Sequence, residues 1–533
     1  MSENKMTFVA WLAQRLAQRG MRHAFGVPGG GTSLDLLAAL RDQNIETVIT
    51  AREDAAMIMA GVSGVLTEGP GLAFTTKGPG LASATNGLAS AALDRMPALL
   101  MSESFTAPEL EFLSHQVFAQ SELVAPLLRQ GQGLELQAEQ GDVETWLNLD
   151  HMAPAVMFSG TADLNKSVPA DYAHETDGND TPDLAPALSL LSISKRPVIV
   201  VGLEAARVGL TPTLRAFVDA LGAPVLCTYM AKGCIADDDP HFAGLFTGGA
   251  IEQTCVEAAD LIIMVGLDPV ELLRKPWSFT APVLDLCERA YDPHYLQPAG
   301  RITAPLAVTL AALTNDLTTS EWSLDDIAGF RDGFLNGMAT DATDNGSGLS
   351  STAVVKAASD AFTQHPRLSV DAGAHMFSAC AFWPGKAPRD VLISNGLASM
   401  AFAVPAAIAA ALHEPERGAV AITGDGGLLM CLGEFKTAVE TKANITIIVF
   451  NDGRLSLIDI KREDRQMADL GLSWTPPDFA DIARGFGFTA WQVNGEDELV
   501  PALQQAASAS GPRLVDIRID ASGYREQLRA LRG

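Results

Sequence analysis

The sequence predicts an α/β fold of three doubly wound parallel-sheet domains, and three observations predict it. Short β-branched runs of strand length alternate with longer stretches whose apolar residues recur at helical spacing, as in successive βαβ units. Several of these runs stop at glycine-rich turns, among them Pro28-Gly29-Gly30-Gly31 and Gly424-Asp425-Gly426-Gly427. The chain has 533 residues, 47% hydrophobic and only 6% aromatic. That length suits about three domains, and an Ala- and Gly-rich composition suits close helix–sheet packing.

The first domain is expected over residues 1–165. Residues 6–19 read as an amphipathic helix, His23 to Val27 as a strand ending in the first glycine turn, and Leu34 to Leu40 as a helix. Glu46 to Thr50 is a strand that leads into Glu53, which opens a helix of small residues (Ala55, Ala56, Ala60, Gly61, Gly64). The next strand, Gly71 to Thr75, ends at Thr76-Lys77-Gly78-Pro79-Gly80, followed by an Ala-rich helix. Crossovers of this kind imply parallel strands with helices on both faces. Residues 165–185 are polar, acidic and Pro-containing and read as a linker. A second α/β unit over 185–315 carries strand signals at Val198–Val201, Ala223–Leu226 and Leu261–Val265, with Gly202 and Gly266 at strand ends. Residues 315–350, rich in Asp, Thr, Ser and Gly, read as a second linker.

The third domain, 350–533, holds the most informative stretch. Ala419 to Ile422 is a strand, Gly424-Asp425-Gly426-Gly427 a glycine loop, and Leu428, Leu432, Phe435 and Val439 are spaced for one helix face. Ile445 to Phe450 is a second strand, stopping at Asn451-Asp452-Gly453. Glycines let the backbone approach phosphates, and a helix N-terminus offers free N–H groups to them. Parallel neighbouring strands bring Asp425 and Asp452 together at the carboxyl edge of the sheet, where α/β proteins bind ligands. Two carboxylates beside phosphate oxygens suit magnesium. Read alone, the loop is also compatible with an ordinary turn between strand and helix; the paired Asp at the right strand end argues against that.

Gly-Asp-Gly followed by Asn451-Asp452, with the two metal residues 27 positions apart (452 − 425), resembles the thiamine diphosphate motif of the acetolactate synthase, pyruvate decarboxylase and benzoylformate decarboxylase superfamily. FGVPGG, Glu53 and GPGLASATNGLASAALDRMP resemble the pyrimidine-binding domain of the same superfamily, so the resemblance covers nearly the whole chain. It implies thiamine diphosphate and Mg2+ as cofactors, with Asp425, Asp452 and the Arg454 carbonyl as metal ligands and Gly424, Gly426 and Gly427 at the diphosphate. It implies that Glu53 hydrogen-bonds the cofactor's aminopyrimidine. It maps His375 onto the diphosphate, the Ala398 carbonyl onto the 4-amino group, and Met400 onto the apolar prop that bends the cofactor. Gln116, ten residues before Pro126, corresponds to a Gln aimed at the reaction centre, with His115 a second candidate. The residues themselves leave plainer readings open: a solvated first-turn acid for Glu53, a surface histidine for His115, simple core for Met400. The family's central domain binds FAD or ADP in some members. No GxGxxG follows either strand here, which leaves FAD without support and favours a structural domain.

The fate of the decarboxylated fragment divides this family between aldehyde and hydroxyketone. Pyruvate decarboxylases carry an Asp directly after the FGxPG turn and a Glu six residues past the metal-binding Asn. Gly30 and Ile458 stand at those places. With Gln116, this favours carboligation of the acetolactate synthase type over a simple 2-oxo acid decarboxylase, a transferase over a lyase. A catalytically silent relative is the third reading, and intact Glu53, Asp425 and Asp452 argue against it. Arg454, Lys461 and Arg462 are candidates for a substrate carboxylate, or else a solvated basic stretch. The family builds each site from two chains, which implies a homodimer or homotetramer.

A net charge of −27 argues against nucleic acid and anionic membrane as partners and fits a small-molecule enzyme of the cytoplasm. The N-terminal segment lacks a secretory pattern, and the longest apolar run, Ala401 to Leu412, is too short to span a bilayer. Six scattered cysteines without a close pair read as reduced thiols.

Overall fold

The computed structural model describes residues 5–149, 153–170, 172, 182–272, 277–291, 296–341 and 348–533. Three parallel sheets, each flanked by helices, account for most of the chain. The N-terminal sheet runs in the order Glu46–Ile49, His23–Val27, Gly71–Thr75, Ala98–Glu103, Ala155–Ser159, Leu134–Leu136. The central sheet has Pro197–Val201 and Leu261–Val265 in the middle. In the C-terminal sheet, Ala419–Gly424 lies between Arg367–Val370 and Ile445–Asn451. Every residue of Ile445–Asn451 is buried, because helices cover both faces of such a sheet and the strand is therefore apolar throughout.

Register fixes what matters for the site. Ala419 pairs with Ile445 and Gly424 with Phe450 in a parallel ladder. Asp425 and Asp452 thus leave the same edge of adjacent strands. The helix Glu53–Thr67 needs its small residues, because neighbouring backbone comes very close: a Cβ on Gly71 would lie 1.8 Å from the Ala60 carbonyl oxygen. This helix packs against both Pro79–Leu93 and Ala403–His413, joining the N- and C-terminal domains.

Several expectations are corrected. The stretch 315–350 is not simply a linker: Leu324–Met338 is a helix, started by Ser323 with an Asp326 capping box and anchored by buried Ile327, Phe334 and Met338. Three apolar anchors at helical spacing suffice there, although the composition is dominated by Asp and Gly. In 165–185, Ser167–Pro169 pairs antiparallel with Lys5–Thr7; residues 171 and 173–181 lie outside the described residues, as do 342–347. The segment after Asp425 forms two helices, Asp425–Cys431 and Glu434–Glu440. The break at Gly433 fits the contact made there, since a Cβ on it would lie 2.8 Å from the Ala51 side chain. The charged C-terminal segment, which reads from sequence as a short tail, is the helix Tyr524–Arg532, with Tyr524, Gln527 and Leu531 buried. All six cysteines are buried and unpaired. Among the described residues no helix is long and apolar enough to cross a membrane.

Candidate active site

A cavity of about 480 Å³ opens at the carboxyl edge of the C-terminal sheet, a size typical of small-molecule sites. Its floor is Gly424, Asp425, Gly426 and Gly427; its walls include His375, Ala398, Met400, Asp452 and Arg454. Nine of the residues nominated for cofactor and metal therefore line one space. Glu53, His115 and Gln116 do not line it. Glu53 sits half-buried at the start of its helix, and Gln116, exposed and left-handed (φ 62°), lies over Gly78 in the N-terminal domain.

The two aspartates are held by backbone. Asp425 Oδ2 accepts from Gly453 N–H at 2.9 Å and its Oδ1 from Gly426 N–H at 2.8 Å. Asp452 accepts from the Ser456 hydroxyl and from Arg454 N–H at 3.3 Å. Burial, with Asp452 close by, pushes the Asp425 carboxyl up to about 7. Burial likewise raises Asp452 to about 6. Two desolvated carboxylates facing one another call for a cation. Among the described residues no group of three or more His, Cys, Asp or Glu could hold a metal, so side chains supply only two ligands. Gly453 directs its carbonyl to Trp474 N–H, whereas the Arg454 carbonyl makes no hydrogen bond among the described residues. Two carboxylates, a free carbonyl and phosphate oxygens make a donor set that fits magnesium.

His375 is buried, and burial pushes it down to about 4. Its Nε2 has no partner among the described residues. An orphaned nitrogen in a cavity wall is a place for a ligand atom. Any larger residue would crowd the floor: a Cβ on Gly426 would come within 3.1 Å of Leu455 and 3.3 Å of Met400. The residues present thus fit a diphosphate held through a metal.

The turn that carries Ala398 and Met400 is a surprise. The sequence suggests a helix opening at Asn395, but the helix starts at Ala403. Residues Ala398 (φ 55°) and Ala401 (φ 68°) are left-handed without being glycine. The buried Asp371 carboxylate accounts for the delay. It accepts from Ala401 N–H at 3.0 Å, Phe402 N–H at 2.7 Å, Ala403 N–H at 3.3 Å and the Thr423 hydroxyl at 2.8 Å. Burial pushes Asp371 up, and these four donors pull it down.

Sequence reasoning missed part of the wall. Tyr524, Leu531 and Arg532 enter from the C-terminal helix, and Tyr229, Val270 and Leu272 from the central domain. The C-terminal helix has nine residues, four of them charged, so its charge hides the apolar face of Tyr524, Leu528 and Leu531. Of the three basic candidates, Arg454 and Lys461 line the cavity; Arg462 instead pairs with Asp459 and Glu463.

The edge of the central sheet is differently built. Gly202 and Gly266 serve a close approach of strand ends, a Cβ on Gly202 lying 2.4 Å from Leu267 Cα. The N–H groups of Leu203 and Asp268 donate to Glu271 Oε2 at 2.8 and 3.2 Å. A protein carboxylate thus already takes these two strand-end donors.

Comparison with known proteins agrees with the geometry. Residues 6–124 match the N-terminal TPP binding domain of thiamine pyrophosphate enzymes, 184–283 the central domain, and 371–517 the C-terminal TPP binding domain. The chain belongs to the thiamine pyrophosphate-dependent enzymes. Within them it is acetolactate synthase-like: it is 26% identical to the acetolactate synthase of Bacillus subtilis (strain 168) over 531 residues, covering 95% of this chain and 92% of that one. A putative thiamine pyrophosphate-containing protein of the same organism is 27% identical, covering 95% and 91%. The catabolic acetolactate synthase of Raoultella terrigena is 26% identical, covering 96% and 94%. The protein is therefore an enzyme of thiamine diphosphate-dependent 2-oxo acid chemistry.

Proposed function

We propose that the protein joins two 2-oxo acids, releasing carbon dioxide from the first and keeping the carboxylate of the second, as a magnesium- and thiamine diphosphate-dependent carboligase. We take residues 1–165 as the pyrimidine-binding, 185–315 as the central and 350–533 as the diphosphate-binding domain. The observation that carries the reading is Ile458. It lines the cavity at the place where a decarboxylase of this family would present a carboxyl group. An apolar wall there offers no proton, which leaves a second carbonyl as the partner for the new bond. The relatives named acetolactate synthase support the same reaction type.

The bound cofactor supplies the electron sink for loss of carbon dioxide. The chain's own residues do the rest. Asp425, Asp452 and the Arg454 carbonyl would hold the metal, and His375 would stand at the diphosphate. Met400, beside Gly426, would be the apolar prop under the cofactor. Glu53 of a second copy would hold a proton at the pyrimidine, since the Glu53 of the same chain lies outside this cavity. Leu272, Leu457 and Ile458 keep water from the reacting carbons, while Lys461 and Arg532 face the carboxylate that is retained.

The test is product analysis with purified protein, thiamine diphosphate, magnesium and a panel of 2-oxo acids beginning with pyruvate. A hydroxyketo acid, with one carbon dioxide for two oxo acids consumed, is expected. Aldehyde with one carbon dioxide per oxo acid would make it a decarboxylase and overturn the proposal.

A further inference from the structure

We infer that Asp371 is a positioning residue for the cofactor: its carboxylate sets the turn that carries Met400 and couples that turn to the phosphate-binding glycines. The inference rests on the reading that this cavity holds thiamine diphosphate, but not on which product is released.

The observations converge from three sides. First, the helix Ala403–His413 has no side-chain cap of its own, so its first N–H groups need an acceptor. Asp371, from the end of the strand Arg367–Val370, reaches across to supply it for Ala401, Phe402 and Ala403. A negative group at a helix N-terminus is favourable, and this one also holds the left-handed Ala401 that follows Met400. A left-handed alanine persists only where the surroundings impose it; here three consecutive N–H groups on one carboxylate do so. Second, the same carboxylate touches the phosphate loop. A Cβ on Gly427 would lie 2.1 Å from Asp371 Oδ2, and Thr423, the residue before Gly424, donates its hydroxyl to that oxygen. Third, His375, four residues further on, stands in the wall of the same cavity with its Nε2 unpartnered among the described residues. One residue thus fixes the prop relative to the glycine floor, beside the histidine.

Every contact to the side chain is a donor, so Asp371→Asn keeps the shape and turns an NH2 against one pair of donors. Two readouts separate positioning from mere stability. In the cofactor-free protein, amide hydrogen exchange at residues 401–403 should accelerate at least tenfold in Asp371→Asn, with the strand Ala419–Gly424 still protected. With thiamine diphosphate and magnesium but no substrate, exchange of the thiazolium C2 proton should slow by about 10- to 100-fold, the usual cost of losing an orienting partner. Met400→Ala should give the same slow exchange, and adding Asp371→Asn to it should slow it little further, as for residues acting in one chain of contacts. Should Asp371→Asn fail to fold, Thr423→Val removes one donor to the carboxylate and should give a smaller slowing of the same kind. A folded Asp371→Asn protein, or Thr423→Val in its place, that exchanges C2 at the unsubstituted rate would overturn the inference. So would unchanged protection of 401–403. No cofactor binding by the unsubstituted protein would overturn the reading of the site itself, and with it the inference. Aldehyde as product would overturn only the carboligase.

Discussion

Asp425 and Asp452, the two side chains proposed to hold the metal, lie close together in a desolvated setting, and the metal-free protein bears the cost of their proximity. On unfolding, each carboxyl returns to about 4, whereas in the fold burial places them at about 7 and about 6. The folded state therefore binds more protons, and its stability advantage, complete below about pH 4, is lost as pH rises through 6 and 7. Glu204 and Glu271, raised by burial to about 7 and about 8, act in the same direction, so a comparison of variants rather than the bare slope isolates the pair. His375, lowered to about 4 from 6.5, acts oppositely below pH 6.5, so the comparison belongs above that pH. Between pH 6.5 and 8 the Tm of the metal-free protein should fall, and it should fall less in Asp425→Asn. Magnesium with thiamine diphosphate should raise Tm more at pH 8 than at 6.5, because the ligands must be deprotonated. Equal slopes for the two proteins would show that Asp425 does not carry a raised pKa.

At the scale of elements, the glycine floor separates space from flexibility. Gly427 opens the helix Asp425–Cys431 with Asp371 where its Cβ would be, whereas Gly485 lies exposed in the helix Phe479–Phe486 with nothing within 4 Å. Gly427→Ala should destabilise by about 1–3 kcal/mol, as overpacking does, and weaken thiamine diphosphate binding. Gly485→Ala should stabilise by about 0.5–1 kcal/mol and leave binding unchanged. Denaturant midpoints and cofactor titration on both variants check this pair. The same elements show what sequence alone reveals. Strands such as Ile445–Asn451 were legible because burial on both faces demands continuous apolar runs, and the Asp425–Asp452 pair because strand ends carry it. The start of the helix at Ala403 was not legible, since it depends on a carboxylate 32 residues earlier (403 − 371) that only the fold brings there. Helix Leu324–Met338 escaped because a few buried anchors among charged or small residues leave a weak stripe, and Tyr524–Arg532 because it is short and its charged residues outweigh the apolar face of Tyr524, Leu528 and Leu531.

For the whole molecule, the cavity of one chain is incomplete. It holds Asp425 but not Glu53, while Leu429 and Met430 beside it, and Phe112 and Phe118 near Gln116, are exposed. Apolar groups left bare next to a half-built site suit a second copy placed by two-fold symmetry, in which each chain lends its Glu53 to the other. Within one chain, Glu434 accepts from the N–H groups of Ala51 and Arg52 at 3.1 Å each, so the loop before Glu53 is braced by the C-terminal domain of its own chain. Complementation tests this arrangement. Glu53→Gln and Asp425→Asn should each lower activity by about 100-fold or more when alone, the scale of a lost proton-transfer group or metal ligand. Co-expressed in equal amounts, they should form hetero-dimers in which one site carries both lesions and the other carries neither. Random pairing makes half of all dimers mixed, so about a quarter of the unsubstituted activity should return. If each chain built its own site, every site would carry one lesion and the mixture would stay as inactive as its parts. Activity of the purified mixed species, separated by two different affinity tags, decides between these outcomes.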